Sequence, residues 1–285
     1  MPDREQRAAQ AAKHIALMKG VFSSEIEASI ASARIYEDGQ GRELELPEAQ
    51  FEATATSVTT DFAPKALYAA TGSAVIIDAG AFTRPGGNYE GGAFGPEQVL
   101  CADSDLYPIL CGLKDAYYEK NRGWESGQLF SDRALYVPDV AFSRNGSVKK
   151  ADVVVIAAPN RTRALQNNRS VQGCDQALGF RIEAMLRVAA TGGASTLICG
   201  AFGCGNQGND AAQVAGLIKN WIEAHPGIFE QVVFAVPRQS FSAFDAVFGQ
   251  HEDESREPEP NTEPDEAEDE ESWRDTELPE GITLR

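Results

Sequence analysis

Twice along this chain an apolar run stops at a glycine-rich loop, and a helical pattern starts directly after it. The first run is "SAVIIDAG" (73–80), with "PGGNYEGGAFGPEQVLC" (85–101) beyond it. The second is "STLICGAF" (195–202), followed by "GCGNQGN" (203–209) and then "DAAQVAGLIKNWIEA" (210–224). Five glycines fall between Gly86 and Gly95. Each loses more freedom on folding than any other residue would, so such a loop implies that backbone must come close to something. A strand–glycine loop–helix unit used twice restricts the fold sharply. In open α/β sheets such loops sit at the carboxyl ends of strands, where ligands bind.

The remaining pattern alternates in the same sense. Residues 4–37 read as two helices, the second with a capping box at Ser24 and Glu27. "RELELP" (42–47) and "ATATSVTT" (53–60) are short strand candidates, and "APKALYAA" (63–70) is a short helix. A helix is expected from Pro96 towards Lys120, broken at Pro108. "RALYVPDVAFS" (133–143), "ADVVVIAAP" (151–159) and "QVVFAVP" (231–237) read as strands, residues 174–191 as an amphipathic helix, and "SAFDAVF" (242–248) as a closing helix. The apolar fraction of 42% suffices for a core. These features predict an α/β fold with a mixed central sheet and helices on both faces. The expected organisation is an N-terminal helical extension over residues 1–40, the main domain over 41–248, and a disordered acidic tail over 249–285.

Charge narrows the partners. The formal net charge is -18, and residues 251–285 alone contribute -12 of it. An acidity concentrated in a tail argues against a broad basic face for duplex nucleic acid. It leaves room for a small anion, because backbone N–H groups can hold phosphate without Lys or Arg. Trp273 and the terminal "GITLR" are a candidate docking motif for a protein partner, set against a purely solubilising role for the tail. Five cysteines without a CxxC pair suit a reducing compartment. There is no membrane-length apolar run and no signal-peptide pattern, so the expectation is a soluble cytoplasmic protein.

Most chemistries are poorly served. His14, His225 and His251 lack metal-ligand spacing, so no metal is expected, and no cofactor either. GxSxG and GxxxxGK[ST] are absent. Gly203–Gly208 satisfies GxGxxG, but the following strand ends without the acid that a Rossmann ribose site wants, and the loop comes late in the chain. Cys204 reads better as a small packed residue than as a nucleophile. What remains are carboxylates beside a phosphate cradle: Asp78 at the strand exit, Glu90 inside the loop, and Glu97 at the helix start.

Taken together, "PGGNYEGGAFGPEQVLCADSDLYPIL" and "GAFGCGNQGND" resemble the two signature loops of the microbial type of poly(ADP-ribose) glycohydrolase, a macrodomain fold. "ALYVPDVAFSR" and "VVVIAAPN" are similar to the strands between them. The resemblance implies that ADP-ribose binds with its diphosphate between the loops, and that the O-glycosidic bond between ADP-ribose units is cleaved. It assigns Asp78, Gly86, Gly87, Asn88, Gly200, Phe202, Gly203, Cys204, Gly205, Asn206 and Gln207 to the ligand. It also implies a Gln-Glu-Glu triplet opening the helix, whose second Glu is the acid and whose first holds the ribose. Here that triplet is Pro96-Glu97-Gln98, a glycine triplet has become Gly86-Gly87-Asn88, the strand exit has Ala81 in place of Asn, and a loop aromatic has become Gln207.

Glutamine cannot donate a proton as a general acid. The expected activity is therefore ADP-ribosyl glycohydrolysis of poly- or mono-ADP-ribose in which Glu97 transfers the proton and Gln98 orients the ribose. The partners implied are ADP-ribose or an ADP-ribosylated protein. A substrate with a good leaving group, such as an acyl ester of ADP-ribose, would need less help. The alternative is a macrodomain that binds ADP-ribose without cleaving it, and a third reading makes the protein chiefly an interaction scaffold.

Overall fold

Short runs of branched apolar residues build one seven-stranded sheet. Its strands are β1 (Arg34–Tyr36), β2 (Ala55–Thr59), β3 (Ala74–Asp78), β4 (Ala134–Arg144), β5 (Ser147–Ile156), β6 (Thr196–Cys199) and β7 (Gln231–Ala235), in the order β1-β4-β5-β3-β6-β7-β2. These come from a computed structural model, which describes residues 3–249. From β5 across to β2 the strands run parallel, while β4 and β1 are antiparallel to their neighbours. The mixed sheet of the expectation is thus present. The expected acidic tail from residue 250 onward, with Trp273, lies outside the described residues.

Strand β3 is buried along its whole length, as parallel strands covered on both faces are. Its period-2 alternation sends Val75 and Ile77 to one core and Ala74 and Ile76 to the other. The helices are α1 (Arg4–Val21), α2 (Ser23–Ser32), α3 (Gln40–Glu43), α4 (Ala63–Ala69), α5 (Pro96–Ala102), α6 (Leu106–Gly112), α7 (Glu119–Asn121), α8 (Arg161–Gln166), α9 (Val171–Ala190), α10 (Ala211–Ala224) and α11 (Arg238–Phe248). Leu178, Ile182 and Met185 of α9 and Val214 and Ile218 of α10 fill the first core. Ile26, Leu67, Leu100, Leu106 and Ile109, from α2, α4, α5 and α6, fill the second. No helix among the described residues is long and apolar enough to cross a membrane.

Four local expectations are corrected. The "RELELP" segment is no strand: residues 40–43 form α3, and Gly41 packs so tightly on α9 that an added β-carbon would lie 3.1 Å from Ala184 Cβ. Leu44 and Leu46 then serve as anchors on that core. The second helix stops at Ser32, and residues 34–36 instead become β1, paired with β4. The capping box at Ser24 does not form, since α2 follows α1 almost without interruption; Phe22 N–H closes on Met18 O and Ser24 bonds Glu25. The helix after Pro96 breaks at residues 103–105 and not at Pro108, because this segment bonds to β4 through Ser143 N–H to Asp103 O and Asp105 N–H to Ala141 O. Pro108 falls in the first turn of α6, where its missing N–H costs nothing.

Candidate active site

Both glycine loops leave the same edge of the sheet. Strand β3 lies between β5 and β6, parallel to each, with Ile76 opposite Val153 on one side and Ile198 on the other. Their carboxyl ends therefore release three connections side by side: residues 79–95, residues 157–160 and residues 200–210. The exits of the two loops therefore lie at the same end of neighbouring strands, where ligand sites of open α/β sheets form.

Loop one is shaped by left-handed backbone. Gly86, Gly87 and Asn88 have φ of 59°, 54° and 74° in succession. A β-carbon on Gly86 would come within 2.5 Å of the Tyr107 ring, and one on Gly87 would strike Glu97 Oε2 and lie 2.6 Å from Gln98 Nε2. Asn is the residue besides glycine that best tolerates this conformation. Helix α1 backs the loop from behind: Arg4 Nε donates to Gly91 O at 3.0 Å, Arg7 Nε to Gly92 O at 2.9 Å, and the Tyr89 hydroxyl meets His14 Nδ1 at 3.2 Å. None of these α1 residues was legible as part of the site, since nothing local in the sequence links them to a loop more than seventy residues away. A cavity of about 340 Å³ between α1, α5 and this loop, lined in part by His14, Tyr89, Phe94 and Gln98, takes no wall from the second loop. It is therefore not a cleft between the two loops.

Loop two is held by Asn209, a residue that the sequence reading passed over. Its side-chain amide donates to Pro159 O at 2.9 Å and Gly203 O at 3.1 Å, tying the exits of β5 and β6 together. Gly208 N–H closes a turn on Gly205 O, and Gly205 and Asn206 stand exposed at the tip. Gln207 is half-buried and its carbonyl accepts from Thr162 N–H. Phe202 turns inward and is buried in the α9–α10 core, so only its backbone faces the loop. Burial first, and the charge of Asp210 second, push the half-buried Cys204 thiol up to about 12. At the N-terminus of α10 one N–H is taken up by the cap, Asp210 accepting from Gln213 N–H at 2.8 Å. Helix α5 opens on Pro96, which has no N–H.

The three candidate acids separate by burial. Glu90 is exposed and pairs with Arg84 at 3.4 Å. Asp78 is 1% exposed, and neither of its carboxyl oxygens has a hydrogen-bond partner. Burial pushes it up to about 7. Glu97 is 7% exposed. Its Oε2 accepts from Ala81 N–H at 3.1 Å, and its Oε1 has no partner. Burial, and then the neighbouring charge of Asp78, raise Glu97 well above the usual carboxylate range, opposed by the Ala81 N–H. A β-carbon on Gly80 would sit 3.4 Å from Glu97 Oε1 and 3.5 Å from Asp78 Oδ2, so both carboxyls converge on that glycine. Gln98 has another task. Its Nε2 donates to Gly86 O at 3.0 Å and Gly87 O at 3.4 Å, and lies 3.5 Å from Glu97 Oε2. An ionised Glu there could only accept, and would face carbonyl oxygens. Among the described residues no group of three or more His, Cys, Asp or Glu side chains is placed to hold a metal ion.

Comparison with known proteins agrees with this architecture. Residues 6–145 match the microbial-type PARG (poly(ADP-ribose) glycohydrolase) catalytic domain, a span that contains loop one but ends before loop two. The crystal structure of poly(ADP-ribose) glycohydrolase from Thermomonospora curvata is 25% identical, with a TM-score of 0.75 over 86% of this chain and 100% of that one. The same enzyme bound to the inhibitor ADP-HPD gives 26% and 0.73 over 85% and 99%. The Deinococcus radiodurans enzyme in complex with ADP-ribose gives 26% and 0.68 over 78% and 95%. No curated protein sequence matches the chain.

Proposed function

From the premise that this chain shares its catalytic-domain sequence and its fold with the microbial-type poly(ADP-ribose) glycohydrolases, we propose that it hydrolyses an ADP-ribosyl glycosidic bond with Glu97 as acid and base. The ADP-ribose diphosphate lies between Gly86-Gly87-Asn88 and the loop from Gly200 to Gln207, gripped by backbone amides. Glu97 gives its proton to the leaving oxygen as the bond to the anomeric carbon breaks, with the electron pair departing on that oxygen. Water then attacks the anomeric carbon and returns a proton to Glu97. Gln98 holds loop one in shape through Nε2 and keeps Oε1 as an acceptor for a ribose hydroxyl. The substrate is poly(ADP-ribose) or a mono-ADP-ribosylated protein.

The observation that carries this reading is Glu97 itself: a nearly buried carboxyl under the glycine loop, raised by burial and by Asp78 well above the usual carboxylate range. General acid–base help is typically worth about 10²–10⁴-fold, so Glu97→Gln should cut ADP-ribose release from poly(ADP-ribose) by that order. Release by the natural protein no greater than that of Glu97→Ala rejects the proposal.

A second reading is favoured by Gln98, which stands where the resemblance puts the proton donor. On that reading the protein binds ADP-ribose without cleaving it. Gln98→Glu separates the two: a gain in release of about 10²-fold or more supports a natural binder, whereas no gain in a variant that still binds ADP-ribose supports Glu97 as the acid.

A further inference from the structure

The second buried carboxyl has no place in the chemistry so far. Asp78 ends β3 in the interior of the sheet, with both oxygens unpartnered. Burying a carboxyl without hydrogen bonds is costly. An apolar residue would fit this all-buried strand without that cost.

The groups around it are proton carriers. Glu97 Oε1 and Asp78 Oδ2 reach the same point beside Gly80 from α5 and β3. Tyr118, in the turn between α6 and α7, is wholly buried, and its hydroxyl has no partner. Among ionisable groups, the charges of Glu97, Tyr117 and Asp78 act on it most. Cys101, one turn along α5, is also fully buried and feels Glu97 and then Asp78. Val155 of β5 closes the remaining side beside Gly80. Among the described residues no cation acts on Asp78 or Glu97. Arg133, which stacks on Tyr117, is engaged with Glu37, Asn121 and the Tyr117 carbonyl. Three carboxyl oxygens and a phenol hydroxyl, all buried and without a hydrogen-bond partner, therefore lie behind the proposed acid.

We propose that Asp78 is the positioning residue for Glu97: the two carboxyls form one buried pair in which Asp78 keeps a proton on Glu97 at neutral pH. This rests on the reading of Glu97 as the acid. In the cleavage step Glu97 gives its proton to the leaving oxygen, and two carboxylates then face each other across Gly80. Their repulsion draws the proton of the attacking water back onto Glu97, which restores the pair. At 1% exposure Asp78 stands behind Glu97 in this scheme and not on the ligand, where the resemblance put it, and the proton count closes without another reagent.

The test compares the full chain with Asp78→Asn, and with Asp78→Ser in case the first variant does not fold. ADP-ribose release is measured as a function of pH, alongside ADP-ribose affinity by calorimetry. The acid must be protonated to act, so the alkaline limb of kcat marks its titration. Removing Asp78's charge should move that limb to lower pH by about one unit or more, a tenfold or greater loss of kcat above it, with KM and ADP-ribose affinity little changed. An unmoved limb overturns the proposal. A readout independent of turnover is the infrared band of protonated carboxyl groups. At neutral pH this band should be present in the natural protein, weakened in Glu97→Gln, and weakened at high pH sooner in Asp78→Asn. Should the natural protein release nothing while the band behaves this way, the glycohydrolase reading fails and the pair stands. A band that ignores Asp78 removes the pair whatever the activity.

Discussion

At the scale of single residues, the site turns on two adjacent side chains with opposite tasks. Gln98 donates to Gly86 O and Gly87 O, a role that an ionised carboxylate could not fill. Gln98→Glu should therefore cost about 1–3 kcal/mol, the price of setting an acceptor against buried carbonyls, measurable by denaturant unfolding. Asp78 gives a second prediction, with its sign fixed by burial. Its folded value of about 7 exceeds the unfolded one of about 3.9, so the folded state binds the extra proton. That contribution is full below about pH 4 and is lost as pH rises through 7. Relative to the natural protein, Asp78→Asn should thus gain stability as pH rises from 4 to 7, by up to about 1 kcal/mol per unit. Unfolding curves at several pH values check it. The sequence named Asp78, Glu90 and Glu97 together but could not rank them, because rank here is burial. It could not foresee the task of Gln98 either. That task exists only because three left-handed residues turn two carbonyls towards α5.

At the scale of elements, helix α1 stiffens loop one. Arg4 and Arg7 hold the carbonyls of Gly91 and Gly92, and an added β-carbon on Gly92 would strike the α1 backbone. Replacing both arginines by alanine should weaken ADP-ribose binding by about tenfold, in keeping with about 1 kcal/mol of loop ordering, and speed amide exchange across 86–92 while the sheet stays protected. Unchanged exchange there would remove α1 from the site. Gly87→Ala should cost about 2 kcal/mol or more, since it adds left-handed strain to a clash with Glu97. Helices were the most legible elements because their apolar faces repeat over many residues. Those over 171–190 and 211–224 stand within a few residues of expectation. Segments decided by distant partners were not legible: β1 is a strand because β4 offers an edge, and residues 103–105 leave the helix to bond that same strand. One local signal was overlooked. Asn145-Gly146, both with positive φ, make the two-residue turn that joins β4 and β5 as a hairpin.

At the scale of the whole molecule, topology makes the site. Glycine loops 120 residues apart in sequence become neighbours because β3 and β6 pair in parallel. The sheet order could not be read from the chain, but the same-edge placement could, since each loop follows a buried strand and precedes a helix. That placement is the central claim, and a crystal structure with ADP-ribose tests it most directly. The account predicts the diphosphate between Gly86–Asn88 and Gly203–Gln207, with a Glu97 carboxyl oxygen about 3 Å from the oxygen on the anomeric carbon. An anomeric carbon turned to Gln98 with Glu97 still sealed beneath Gly80, or a ligand bound away from these two loops, would contradict it.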